Sequence, residues 1–532
     1  MEHLEDDEKT DILKNGDKTV TEKSFAANHN ACSLDRSKSN FTFRSTLAQW
    51  LATIANSMMF LGVGMMVAVP TIVIGVLHNS KSGLSLNDTE TSWFGSLMLL
   101  IQPLGCVIAS FLQHYIGRKT GMILMNIPEL ISWLILYTAN SVNLLYISAA
   151  VMGLSAGFME APGLSYIGEI AEPRIRGMLT SFANINVCIG MMIEFFLGSI
   201  FDWRTAVAIS AFFPALAIVL ISCIPDSPVW LLDKNRKQDA LHALCWLRGW
   251  VSEDKVKAEF EELCRYTDAA KFLKITDTKN QIYAELSSSK SYVCANGKGI
   301  VKSPKKKSGQ KMKISHLYRT SMLKPFRLII GYEFFSHCAM LSSIRSYMVE
   351  VFNTLNMPVE PQWLVFGTGV VMLVGGVTCI LTVKYLGKRL LSLISMTMSS
   401  LGCIILGAYT LYKDEIQLPC IPMITFCILY FSTTIGISPI PWMLISEVFP
   451  VRGRSFGAGF SAAMFYIIAF LFSKTYLDIE RIIHMSGCFF LYGIFGFVGV
   501  IFLYVYLPET EGKTLAEVEN FFSKNPKKST IY

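Results

Sequence analysis

Twelve apolar stretches, most of them about twenty residues or longer and poor in charge, leave this chain few folds to choose from. They run over 46–77, 92–113, 121–140, 143–166, 178–201 and 204–224, then, after a polar interval, over 326–349, 362–383, 390–412, 419–445, 455–477 and 483–507. A stretch of that length crosses the roughly 30 Å hydrocarbon core of a bilayer as a helix. Helix is the form a lone apolar run can take there, because lipid offers its backbone N–H and C=O groups no partner. The expectation is an all-α polytopic membrane protein, with twelve transmembrane helices in two pseudo-symmetric six-helix halves. Composition agrees: 52% of residues are hydrophobic and only 16% charged, and the mean hydropathy is +0.43. The formal charge of +7 is spread over the connections between spans, so no nucleic-acid partner is inferred. Thirteen scattered cysteines, with no C-x-x-C and no histidine cluster at ligand spacing, argue against a disulfide framework or a metal site. No cofactor and no enzyme chemistry are expected.

Charge appears in marks that recur. Gly117-Arg118-Lys119 is echoed by Gly387-Lys388-Arg389, and Pro225-Asp226-Ser227-Pro228 by Pro508-Glu509-Thr510-Glu511. Between them, Y-I-G-E-I-A-E-P-R-I-R-G from Tyr166 to Gly177 returns as E-V-F-P-V-R-G-R from Glu447 to Arg454. Each pair is separated by roughly 270 to 280 residues and the order is kept, as two homologous halves would give, a construction known from secondary transporters. Glu169 and Arg176, like Glu447 and Arg454, stand seven residues apart, which is one face of a helix if the segment is helical. Gly117, Arg118, Lys119, Glu169, Arg176, Lys388, Arg389, Glu447 and Arg454 are therefore the candidates for a gate on the cytosolic side of a two-part machine.

The segments outside the spans have distinct characters. Residues 1–45 are polar and of mixed charge and read as a cytosolic, disordered tail; 46–224 and 326–507 are the two halves; 508–532 is a cytosolic C-terminal tail. No cleavable leader is evident, so the first span acts as the insertion signal. The interval 225–325 reads as a cytosolic linker. In it Ala240, Leu241, Leu244 and Leu247 keep helical spacing and suggest a short helix against the underside of the membrane domain, while 287–309 is basic and disordered. Arg118, Lys119, Arg174, Arg176, Lys384, Lys388, Arg389, Arg452 and Arg454 all fall on alternate connections, which places both termini in the cytosol. Asn87-Asp88-Thr89 then becomes an extracellular glycosylation sequon and Asn40-Phe41-Thr42 a silent cytosolic one. A multi-pass protein of the plasma membrane is expected.

These motifs resemble, in order, those of the sugar porter family of the major facilitator superfamily. They are G-R-K after span two, the Tyr166–Gly177 segment, P-D-S-P-V-W-L-L after span six, P-I-P-W in span ten, E-V-F-P-V-R-G-R, and L-P-E-T-E-G-K-T-L-A-E-V-E near the end. The likeness covers about 46–520 and is strongest to the insect facilitated trehalose transporter group. It implies a facilitative carrier of a hexose, trehalose or related polyol working by alternating access, with a small solute and the lipid bilayer as its partners. It also exposes departures. The family glutamine of span five is Asn184; the family segment Q-Q-L-S-G-I-N of span seven is S-H-C-A-M-L-S here, which puts Ser336, His337 and Ser342 at its two glutamines and its asparagine. Family asparagines of spans eight and eleven fall on Met372 and Phe465, and Trp442 is kept. The carried-over substrate site is thus Asn184, Ser336, His337, Ser342 and Trp442. Amides match vicinal hydroxyls with a donor and an acceptor each. At about 1 kcal/mol per neutral hydrogen bond, losing three or four weakens sugar binding some hundredfold or more unless other groups compensate.

Two other readings stay open. One is a non-transporting sugar receptor of transporter ancestry. The other is a carrier of a charged organic solute, favoured by Glu333, His337 and Arg345 along one face of span seven and by Glu129, Glu160 and Glu194 in spans three to five, since ionisable residues within a membrane are costly. The charge marks also depart from the family, with His114 and Lys384 where acids are usual. Span one carries no carboxylate, so downhill transport is expected.

Overall fold

The computed structural model describes residues 43–81, 83–172, 174–265, 267–268, 320–339, 343–413, 415, 418–449, 454–511, 513, 517–518 and 521–522; the side chains at 110, 111, 113, 114, 161, 320, 321, 446 and 454–456 are not described. The first half contains α1 (Phe43–Leu77), α2 (Asp88–Ile116), α3 (Arg118–Tyr137), α4 (Val142–Ile170), α5 (Arg176–Ile200) and α6 (Trp203–Cys223). The second contains α7 (Thr320–Ala339), α8 (Pro361–Leu386) and α9 (Lys388–Leu411). Next comes α10, which starts as Cys420–Ser432, loosens into a π-helical segment at Thr433–Ile437 and resumes as Pro439–Val448. The helical run Arg454–Tyr506 is broken at His484, whose φ of 59° no helix tolerates, and so forms two spans, α11 before the break and α12 after it.

All twelve apolar blocks are helical, with ends that shift by a few residues. Span seven differs: it is not one helix over 326–349. α7 is described as far as Ala339; residues 343–344 form a turn, and the chain goes on as a 3-10 turn at Arg345–Tyr347 followed by a helix over Met348–Thr354. Arg345 therefore stands beyond the end of α7 and does not share a helical face with Glu333 and His337.

Helices pack closely where glycine lets backbones touch. A Cβ on Gly190 of α5 would lie 2.0 Å from the Leu61 carbonyl oxygen of α1, and one on Gly157 of α4 2.0 Å from the Gln102 carbonyl oxygen of α2. Small residues at such crossings are how helices associate in lipid, where the hydrophobic effect gives no preference for helix over solvent. Between the halves, α2 packs against α11 and α5 against α8. Below the first half, Pro228–Asp233, Lys237–Leu247 and a helix over 253–265 form a small unit whose core is Trp230, Leu231, Leu232, Ala240 and Ala243, while Leu247 reaches into the main core. Residues 1–42 with Asn40, and the linker stretch 269–319 with its basic segment 287–309, lie outside the described residues.

Candidate functional site

The charge marks gather at one end of the bundle, in a geometry repeated in each half. In the first half, Arg118 ion-pairs with Glu169 at 2.7 Å, and Glu169 also accepts a short hydrogen bond from the Ser227 hydroxyl. Asp226 receives the Lys119 backbone N–H at 3.3 Å, at the start of α3. In the second half, Lys388 pairs with Glu447 at 2.5 Å and with Glu511 at 3.0 Å, while Glu509 receives the backbone N–H groups of Lys388 and Arg389 at 3.1 and 3.0 Å. Thus Asp226 and Glu509 set a carboxylate on a helix N-terminus, the favourable end of its dipole. The glycine that opens each turn is required for two reasons: Gly117 and Gly387 have φ of 89° and 75°, and a Cβ there would meet Asp226 or Glu509 at 3.0 or 2.5 Å.

This corrects the pairing suggested by spacing. Glu169 and Arg176 lie on different helices, because α4 ends at Ile170 and α5 begins at Arg176; Glu447 and Arg454 are likewise separated by the end of α10 at Val448. The sequence places Pro173 and Pro450 in these gaps, and proline cannot donate the bond a continuing helix needs. Each acid pairs instead with the basic residue of the turn after α2 or α8. Arg176 donates to the Ala171 carbonyl at 3.2 Å, and the side chain of Arg454 lies outside the described residues. Asp226, Ser227, Glu509 and Glu511 were visible in the sequence only as repeated marks. Their role needed the fold, which brings them to residues more than fifty positions away. A second hub escaped the sequence: Glu172 accepts from Ser45 at 2.6 Å and Gln49 at 2.9 Å and lies 3.7 Å from Arg248, which also holds Glu259 at 2.5 Å.

At the opposite end the contacts run between the halves. His78, just past α1, bonds Glu350 at 2.9 Å and Asp88 at 3.0 Å; Asp88 pairs with Arg481 at 2.5 Å; Ser92 donates to the Lys474 carbonyl at 2.6 Å; and Thr71 donates to the Arg345 carbonyl at 2.9 Å. The hydrogen bond to Glu350, assisted by Asp88 and opposed by burial, raises the His78 pKa from 6.5 to about 9. This end is shut by cross-half pairs. At the charge-mark end, the ion pairs just described each join residues of one half.

Between the two ends stand the residues carried over as a substrate site. Ser336 and His337 are almost wholly buried on α7, at 1% and 2% exposure. The His337 ring lies 4.6 Å from that of Phe465 and stacks at 6.3 Å on Phe472, with a hydrogen bond to the Phe465 backbone. Trp442 of α10 meets Phe465 from the other side, edge-on at 5.2 Å, and Tyr466 at 6.2 Å. His337 and Trp442 therefore share one aromatic cluster centred on Phe465, where the resemblance expects an asparagine. Asn184 is exposed on α5, and Ser342 lies outside the described residues. A cavity of about 500 Å³ beside Ile72, Phe195, Trp203 and Gln362 includes none of these residues.

Of the acids within the spans, Glu129 and Glu194 are spent inside the first half, Glu129 under the Trp133 indole at 3.5 Å and Glu194 accepting from Ser210 at 2.6 Å. Glu160 alone among the three reaches across, accepting a short hydrogen bond from Tyr466 of α11. Among the described residues there is no group of three or more histidine, cysteine or acidic side chains able to hold a metal.

Known proteins share this fold. The computed model superposes on the inward-open conformation of the xylose transporter XylE from E. coli with a TM-score of 0.66, 17% identity, and coverage of 89% of this chain and 99% of that one. A proton:xylose symporter XylE bound to 6-bromo-6-deoxy-D-glucose gives 0.64 at 18% identity, covering 90% and 100%. In sequence, the facilitated trehalose transporter Tret1 of Culex quinquefasciatus is 26% identical over 90% of this chain and 86% of its own, and that of Polypedilum vanderplanki 27% identical over 88% and 87%. The family model described as sugar (and other) transporter matches residues 48–522, nearly the whole of the twelve-helix body, and the chain belongs to that family of transporters within the major facilitator fold.

Proposed function

We propose that this chain carries a small sugar down its gradient across the plasma membrane by alternating access, with no covalent chemistry. The observation that carries the reading is the unequal closure of the two ends. His78, Asp88 and Thr71 tie the first half to the second at one end, whereas Glu169 and Glu447 are occupied within their own halves at the other. A two-state carrier sealed on one side has this form, and differential affinity of its cargo for the two states shifts the balance. Trehalose is the leading cargo because it is the solute named for the relatives similar over most of the chain. Asn184 and Trp442 face it, with Ser336 and His337 behind them. The charge-mark end faces the cytosol along with both termini, and Asn87, exposed at the opposite end, carries glycan. Uptake of labelled trehalose and D-glucose by proteoliposomes tests this: saturable uptake that needs no proton gradient supports it, and no uptake above protein-free liposomes contradicts it in favour of a receptor.

A further inference from the structure

Glu160 remains unexplained by a neutral cargo. It stands on α4 ten residues from the helix end at Ile170, about 15 Å into the bundle at 1.5 Å per residue. As a residue Glu160 is half-buried, as are Trp442 and Phe465. It is satisfied by neutral donors only: Tyr466 from α11, the Cys106 thiol of α2 at 3.8 Å, and the Gln102 side chain. No ion pair reaches it among the described residues.

Around the Tyr466 ring, α7, α10 and α11 bring aromatic and acidic side chains. From α10 comes Trp442, 6.2 Å from the Tyr466 ring; from α11 come Phe465 and Tyr466, 5.3 Å apart and nearly perpendicular. From α7 comes Glu333, wholly buried, with neither carboxyl oxygen hydrogen-bonded and within electrostatic reach of the Tyr466 phenol, and next to it His337. Arg345, the cation of span seven, stands beyond the end of α7 and within electrostatic reach of His337. A carboxylate held by the Tyr466 phenol, whose ring meets Trp442 and Phe465, with a second carboxyl lacking hydrogen bonds within electrostatic reach of that phenol, is chemistry that suits an ammonium group. The charge offsets the burial of the acids, the N–H donors fill their oxygens, and ring faces attract cations. Sugar hydroxyls would instead want the paired amides this chain lacks.

We propose that Glu160, flanked by Trp442, Phe465 and Tyr466, recognises a protonated amine on the carried solute, so that the chain prefers a cationic sugar derivative to the neutral sugar. The inference rests on the reading as a sugar carrier for the rest of the solute, and its test is kept separate from transport. Tryptophan-fluorescence titration of the purified full chain in detergent, at about pH 6 where a sugar amine is protonated, compares D-glucosamine with D-glucose. These differ at one position, a hydroxyl against an ammonium.

The charge-assisted bond gives glucosamine about tenfold tighter binding. Glu160→Gln, which keeps the shape and removes the charge, abolishes that preference, and Trp442→Leu reduces it, serving also if Glu160→Gln does not fold. Equal or weaker binding of glucosamine by the unaltered chain overturns the proposal, as does a preference that survives Glu160→Gln. Failure of glucose uptake in proteoliposomes, with the amine preference intact, would instead contradict the carrier reading and leave this site standing.

Discussion

At the scale of single residues, two histidines, His78 just past span one and His337 in span seven, show how packing decides what an ionisable side chain does. His337 stands where the family has a glutamine and is carried over by the resemblance as a cargo contact; its ring is packed against Phe465 and Phe472 with 2% exposure. His337→Gln is therefore expected to lower the melting temperature, by an amount matching the roughly 1–3 kcal/mol typical of disturbing a packed core, while leaving the uptake profile between pH 5.5 and 7.5 unchanged. A pH profile that flattens in the variant would return His337 to the cargo site. His78 is the residue that titrates with consequence. Its folded pKa is raised to about 9, so the stability it lends the closed end is complete below 6.5 and is lost as pH climbs through about 9. A thiol placed at Ser346, which packs against Gly95 at that closure, should label faster from the outer side as pH rises from 6.5 past 9, and His78→Gln should remove the trend. A flat profile in the parent would show that the bridge does not hold the end shut. Nothing in the sequence singled out His78, because Glu350 lies 272 residues away and neither residue belongs to a repeated motif.

Elements were more legible than residues. Span length, glycine turns and proline breaks are local, and all twelve blocks became helices; what was not local was the pairing at their ends. Seven-residue spacing implied a shared face for Glu169 and Arg176, but the helix boundary between them turned each acid toward the glycine-led turn of a neighbouring pair of helices. The break in span seven was hidden for a related reason, since Ile344, Tyr347, Met348 and Val349 prolong the apolar pattern past it, and the departure shows only in the 3-10 turn at Arg345–Tyr347 and the cross-half bond from Thr71 to the Arg345 carbonyl. Removing the charge in Glu169→Gln leaves Arg118 and Ser227 poorly matched in a part-buried setting. The cost should fall between an exposed and a fully buried pair, about 1–2 kcal/mol, readable as a lower melting temperature. The same variant, and Glu447→Gln, should raise thiol labelling from the charge-mark side if these acids belong to the gate; unchanged labelling in both would exclude them from it. Asn87 caps α2, its side chain accepting from the Glu90 N–H while Glu90 accepts from the Asn87 N–H, each at 2.9 Å. A glycosidase-sensitive mass shift that Asn87→Gln abolishes would fix this end as extracellular; a shift abolished by Asn40→Gln instead would invert the topology.

For the molecule as a whole, the repeat of charge marks pointed to two homologous halves, and the contacts now say which end is shut. Composition and motifs reach as far as the fold and the family because those depend on patterns repeated many times along the chain. The cargo depends on a handful of side chains whose company is decided by packing, as Phe465 in place of an asparagine shows, and no spacing rule announces it. The claim that joins these levels is that the closure through Asp88 and Arg481 must open for transport. Cysteines placed at both positions, in a background without reactive native thiols, can be joined by a short cleavable crosslinker and the protein assayed for trehalose uptake in proteoliposomes. The account predicts that joining them stops uptake and that cleaving the linker restores it. Uptake that continues at its original rate with the crosslink formed throughout the sample would contradict it.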